Sequence, residues 1–177
     1  MLIGQAPGKV EIASRRPFAG RAGKTLFRWL ERAGVDEGTF RERVYIAAIT
    51  RCYPGPSPSG RGDRVPSPRE REMCRRWLDA ELRLIRPALL ILVGRLAIDA
   101  FLDTRPLSEL VGGAHQVEHV GGSSLAIPLP HPSGASSWVN RPANRALLDR
   151  ALARLGDELA RLGVTSAARR GHARRSA

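Results

Sequence analysis

Lysine is nearly absent from this chain: Lys9 and Lys24 are the only two among 29 basic residues, and arginine supplies the rest. Acidic residues are also few, 17 in 177, which leaves a net charge of +12. Aromatic residues make up only 5% and there are just two cysteines, Cys52 and Cys74. Two cysteines exclude a disulfide framework. No apolar run approaches the ~20 residues that span a bilayer, and the N-terminus carries no secretory pattern, so the chain is expected to be a soluble, cytoplasmic protein that does not enter membranes. No repeat or heptad points to assembly, and a monomer is expected. Both nucleotide-binding fingerprints are also missing, because the first glycine loop has neither a Gly-Lys-Ser/Thr ending nor Gly-x-Gly-x-x-Gly spacing.

Enough apolar sequence remains, 42%, for one compact domain. An excess of arginine forks suits phosphate contacts and favours a polyanion through counterion release. On charge alone, a membrane surface or an acidic protein stays open beside nucleic acid. Met1-Leu2-Ile3 reads as a buried strand running into the tight loop Gly4 to Gly8, so an upstream lead-in is expected. Residues 22–33 have helical periodicity, with Leu26, Trp29, Leu30 and Ala33 on one face. Val44 to Thr50 and Ala88 to Val93 are apolar runs suited to strands buried on both faces. Between them, the Pro/Gly/Ser-rich stretch 53–67 is a loop. It leads to a helix from Pro68 capped by Ser67, with Met73, Trp77, Leu78, Leu82 and Ile85 on its apolar face. A short helix at 95–102, a strand at 125–129 and a long helix at 141–162 follow. This alternation predicts a three-layer α/β/α sandwich around a central, mainly parallel, four-stranded sheet. Residues 1–162 form the domain, and 163–177 read as a flexible basic tail. In such folds ligands bind beyond the carboxyl ends of the strands, where the loops after Gly4 and around His131 converge.

Those two loops carry a resemblance. Gly4-Gln5-Ala6-Pro7-Gly8, Glu11 and Pro17-Phe18-Ala19-Gly20-Arg21-Ala22-Gly23 resemble, without a gap, the first signature of the iron–sulfur branch of the uracil-DNA glycosylase superfamily. His131-Pro132-Ser133 matches its second, and Gly134-Ala135-Ser136 is similar to the mismatch-specific branch. Arg51-Cys52-Tyr53-Pro54 and Cys74-Arg75-Arg76-Trp77-Leu78 are similar to segments carrying two of the cluster cysteines. The resemblance runs from Leu2 to about Leu155. It implies a DNA-repair glycosylase that flips a damaged base, uracil or another deaminated base, out of DNA and hydrolyses its N-glycosidic bond.

What each residue would do follows from that chemistry. Cleavage leaves positive charge on the sugar and negative charge on the departing base, so a donor at the base stabilises the leaving group; His131 is that candidate. The backbone of Gly4, Gln5 and Ala6 would bind the base and Phe18 would stack on it. Ser133, Gly134, Ala135 and Ser136 would enter the duplex or hold a phosphate. Trp138 is either a wedge or the anchor of that loop. Arg15, Arg16, Arg21, Arg61, Arg64, Arg75, Arg76, Arg141 and Arg145 are candidates for the phosphate-tracking surface. Cys52 and Cys74 are either inert thiols or half of a 4Fe–4S ligand set; the cluster needs four cysteines, so it requires an upstream pair and is otherwise absent.

The sequence departs from the resemblance at the centre of the site. Gln5 stands where the branch has glutamate, and an amide orients water without accepting its proton. Ile12 replaces the second residue of an acidic pair. Ala48 stands where an asparagine reads the edge of uracil, and Thr50, two residues on, shares its strand face. These losses keep a second reading in view, a non-catalytic DNA-binding or damage-sensing member of the same superfamily.

Overall fold

The computed structural model describes residues 1–59, 62–133 and 137–166. Five strands form one sheet: β1 (Leu2–Gly4), β2 (Ile46–Ala48), β3 (Leu89–Val93), β4 (His115–His119) and β5 (Gly122–Leu129), in the order β2-β1-β3-β5-β4. The first four in that spatial order are parallel, as the sequence pattern predicts. The fifth, β4, pairs antiparallel with β5 at the edge and has no counterpart in the sequence reading. Its only buried residue is Val117, so it carries no apolar run to mark it.

Strand alternation divides the interior in two. On one side Leu2, Leu89, Ile91, Val93, Ile127 and Leu129 pack against α2 (Arg21–Arg32), α3 (Glu37–Arg43) and α7 (Pro142–Arg161). On the other, Ile3, Ala47, Leu90, Leu92 and Ala126 meet α4 (Pro68–Ile85), α5 (Arg95–Asp99) and α6 (Leu107–Leu110). The result is the three-layer sandwich, with every side chain of β3 buried on one face or the other.

Local chemistry sets the helix ends. The Ser67 hydroxyl accepts the Glu70 N–H while the Glu70 carboxylate accepts the Ser67 N–H, a capping box with Pro68 in the first turn. Asp36 caps α3 by accepting from the backbone and hydroxyl of Thr39. Along α4 the apolar face is narrower than its composition suggests: Leu78 and Leu82 are buried, but Met73 and Trp77 are 66% and 53% exposed. Each lies one residue, about 100° of rotation, away from the row that meets the sheet. Trp77 is instead covered in part by the Arg76 guanidinium, 5.0 Å from its ring centre.

The chain leaves β1 towards β2 on one side and later returns to place β3 on the other. The connections therefore diverge between β1 and β3, which opens a crevice at the carboxyl ends of those strands.

Candidate base-binding site

A cavity of about 510 Å³ occupies that crevice. Gly4, Gln5, Ala6, Pro7 and Gly8 enter it from the end of β1, Ala48 and Thr50 from the end of β2, Val93 from β3, and His131 and Ser133 from the turn after β5. Phe18 closes one wall, and Arg15, Arg16 and Asp63 also line the cavity. Residues that lie far apart in the chain thus share one opening because four parallel strands end together. Gly134, Ala135 and Ser136, the other candidates for duplex contact, fall outside the described residues, as does Arg61.

Phe18 is held in a conformation that a free residue avoids. Its φ is +52°, in the left-handed region, at a cost of about 1–3 kcal/mol that its surroundings must offset. Three neighbours do so. A β-carbon on Gly4 would lie 3.0 Å from Phe18 Cζ, and one on Gly23 would lie 1.8 Å from the Phe18 carbonyl oxygen. These two glycines give the ring and the backbone their space. Arg41 supplies the third constraint from α3, donating to the carbonyls of Pro17 at 2.8 Å and Phe18 at 3.2 Å. Its Nε meets Glu37 at 2.8 Å and its guanidinium lies 4.4 Å from the Phe27 ring centre. Sequence reasoning missed Arg41, since the carbonyls it grips are more than 20 residues away and no motif contains it. Glu11 ties the same segment to α1 (Lys9–Ser14), its Oε1 accepting the Gly20 N–H at 2.8 Å.

His131 has a defined tautomer. The backbone N–H of Ser133, which can only donate, points at His131 Nδ1 at 3.2 Å. Nδ1 is therefore an acceptor, and the Ser133 hydroxyl, 2.9 Å away, donates to it as well. The ring proton resides on Nε2. Burial lowers the His131 pKa and reinforces the neutral form. The site thus holds a neutral imidazole with one N–H left to donate.

Ala48, the last residue of β2, and Thr50 just beyond it both line the cavity. Ile49 N–H donates to the Gly4 carbonyl at 2.9 Å and Thr50 N–H to the Gln5 carbonyl at 3.1 Å, so the strand continues its pairing with the first loop. Ala48 presents only a methyl group to the cavity. Thr50 is 2% exposed and its hydroxyl has no hydrogen-bond partner among the described residues. That unpaired hydroxyl can both donate and accept, and leaving it buried without a partner costs about 1–3 kcal/mol.

The remaining candidates fall elsewhere. Cys52 is exposed and Cys74 half-buried; both are free thiols and neither lines the cavity. Two thiolates do not meet the four-ligand need of a 4Fe–4S cluster, and no three His, Cys, Asp or Glu side chains among the described residues group to hold a metal ion. Trp138 opens a short 3₁₀ turn, packs against the core beside α7 and accepts the Asn144 amide at 2.8 Å through its carbonyl, which makes it the anchor of its loop. Arg64 is committed to Glu70 and Arg51 to Glu81; Arg15 and Arg16 stand exposed at the mouth of the cavity, Arg16 with a 3.4 Å contact to Glu37.

The sequence that builds this site has known relatives. The family model of the uracil DNA glycosylase superfamily matches residues 1–156. The chain belongs to the uracil-DNA glycosylase superfamily. It is 32% identical over 133 residues to the Type-4 uracil-DNA glycosylase of Thermotoga maritima, covering 75% of this chain and 64% of that protein. It is 27% identical over 158 residues to the Type-4 enzyme of Pyrobaculum aerophilum, covering 86% and 74%. The Type-5 uracil-DNA glycosylase of Thermus thermophilus is 32% identical over 152 residues, covering 80% and 64%. The chain thus spans a little under two thirds of the Thermotoga relative's length.

Proposed function

We propose that this protein is a DNA-repair glycosylase that accepts a flipped, damaged base into the cavity at the ends of β1, β2, β3 and β5 and hydrolyses its N-glycosidic bond. The observation that carries the reading is the fixed tautomer of His131. As the C1′–N bond breaks, the electron pair moves onto the base. The Nε2–H of a neutral imidazole stabilises the resulting anion by hydrogen bonding, in a buried site where such a donor counts for more than in water. Phe18, pinned by Gly4, Gly23 and Arg41, supplies the face on which the base stacks, and the backbone around Gly4 to Ala6 supplies polar groups for its edge. Arg15 and Arg16 at the mouth suit the phosphates flanking the flipped nucleotide.

The substrate is uracil or another deaminated base. With Ala48 in place of an amide reader, the edge of the base meets the Thr50 hydroxyl, which donates or accepts as the base requires. A pocket read in this way discriminates less sharply than one built around a fixed amide. Gln5 and Ala48 also favour one competing reading, a damage sensor that binds without turnover. Base release from oligonucleotides carrying uracil, hypoxanthine or xanthine, single-stranded and paired, decides between them. Release of at least one base supports the glycosylase; retained DNA binding with no release of any base supports the sensor.

A further inference from the structure

Gln5 gives the pocket an amide that cannot take a proton from water, yet a carboxylate stands in the same cavity. The loop between β2 and α4 folds back on itself: Pro56 bridges Asp63, Ser57 N–H donates to the Gly62 carbonyl and Arg64 N–H to the Gly55 carbonyl. Arg64 forks onto both oxygens of Glu70 at 2.8 and 2.6 Å, and Glu70 closes the α4 capping box, so the base of the loop is fixed to a helix end. This construction carries Asp63 across to the first glycine loop. A β-carbon on Gly8 would lie 2.8 Å from Asp63 Oδ2 and 2.7 Å from Glu11 Oε2.

Two carboxylates therefore flank Gly8, and among the described residues they are the only acidic ones lining the cavity. They are not equivalent. Glu11 is engaged through Oε1 by the Gly20 N–H and holds the Phe18 segment in place. Asp63 forms no ion pair among the described residues; its hydrogen-bonding neighbour is the Tyr53 hydroxyl, whose pKa is raised by burial and then by this carboxylate. Arg64, next in sequence, is turned away to Glu70.

We infer that Asp63 is a catalytic residue, the general base that activates water in the glycosidic hydrolysis proposed above, on which this inference rests. The C1′–N bond breaks with its electron pair passing to the base, where His131 stabilises the charge. A water oxygen forms the new bond to C1′ and its proton passes to the Asp63 carboxylate, then through solvent to the departed base. The products are an abasic sugar hydroxyl and the free base. While the sugar is cationic, the same carboxylate stabilises it electrostatically, which the amide of Gln5 does only weakly.

The test compares single-turnover base release by the full chain with that of Asp63→Ala, Asp63→Asn and His131→Ala, with DNA affinity measured in parallel. Asp63→Ala is expected to slow release about 10²-fold or more with DNA affinity little changed. Sodium formate, a carboxylate small enough for the vacated space, should restore several-fold activity to Asp63→Ala. It should do nothing for the space-filling Asp63→Asn or for His131→Ala. Release by Asp63→Ala close to that of the parent overturns the assignment while leaving the glycosylase reading intact. A slowed Asp63→Ala that formate does not rescue, or whose loss matches a loss of DNA affinity, overturns it too and makes the residue structural. A parent that releases no base overturns both readings.

Discussion

The imidazole of His131 lies against the α-carbon of Gly94, and a β-carbon there would stand 2.9 Å from His131 Cδ2. Gly94 closes β3 with a φ of +86°, so the turn into α5 and the space for the histidine depend on one residue. Gly94→Ala should cost about 1–3 kcal/mol from backbone strain alone, since φ +86° with ψ 161° lies in a region that essentially only glycine enters. It should reduce base release by more than that loss implies, because the ring must also move. Release rates compared with urea denaturation midpoints check this. Equal activity at reduced stability would show that the contact is incidental.

Arg41 is expected to act at a distance through Phe18. Arg41→Lys keeps the charge but loses the fork that reaches both the Pro17 and Phe18 carbonyls and the stacking on Phe27. The variant should bind a base-bearing oligonucleotide less well and release base roughly tenfold more slowly, an effect of about 1.4 kcal/mol. A fluorescent base analogue placed at the flipped position should report weaker stacking. Unchanged fluorescence and rate would remove Arg41 from the account.

Thr50→Val separates recognition from folding. The hydroxyl is buried without a partner, so its loss should leave stability unchanged or raise it by about 1 kcal/mol. Base release should fall, since the edge of the base then keeps only the backbone groups of Gly4 to Ala6. Ala48→Asn, in contrast, should shift selectivity towards uracil over hypoxanthine and xanthine. Thermal melts and competition between the three substrates measure both effects.

The two perturbed histidines set a pH dependence. Burial lowers the pKa of both His131 and His119 below the ordinary value of about 6.5. From each lowered value up to about 6.5 the unfolded chain binds more protons than the folded one, so stability rises with pH through that window and flattens above it. Activity should follow the same direction, because protonating Nδ1 of His131 removes the acceptor for the Ser133 N–H. Glu70 adds a separate acid loss. Arg64, then the backbone and hydroxyl of Ser67, hold its pKa at about 2. Its contribution is present above the unfolded value of about 4.3 and fades as the pH falls towards 2. Denaturation midpoints between pH 3 and pH 8 would show a gain across the histidine window. A midpoint that falls as the pH rises through it would contradict the sign.

The layering was legible because buried parallel strands are continuous apolar runs and their helices carry clear starts and stops, as at Ser67-Pro68 and Gly34. The strand β4 was not, since its alternation rests on Val117 alone and its pairing depends on β5. The exposed Met73 and Trp77 misled for a related reason: periodicity gives a helix an apolar face but not the width of the neighbour that covers it. At the site, the signature loops led to Gly4, Gln5, Phe18 and His131 through resemblance. The grip of Arg41 on Phe18 and the approach of Asp63 to Gly8 are contacts across 23 and 55 positions of chain, which no local pattern encodes.

The central claim is that the Nε2–H of a neutral His131 carries the leaving group. Its most direct measurement is single-turnover release of uracil by the parent and by His131→Ala, with DNA affinity determined on the same oligonucleotide. A loss of about 10²–10³-fold in rate, the scale of removing one preorganised donor, with affinity nearly unchanged, is the result the account predicts. Equal rates in the two proteins would contradict it.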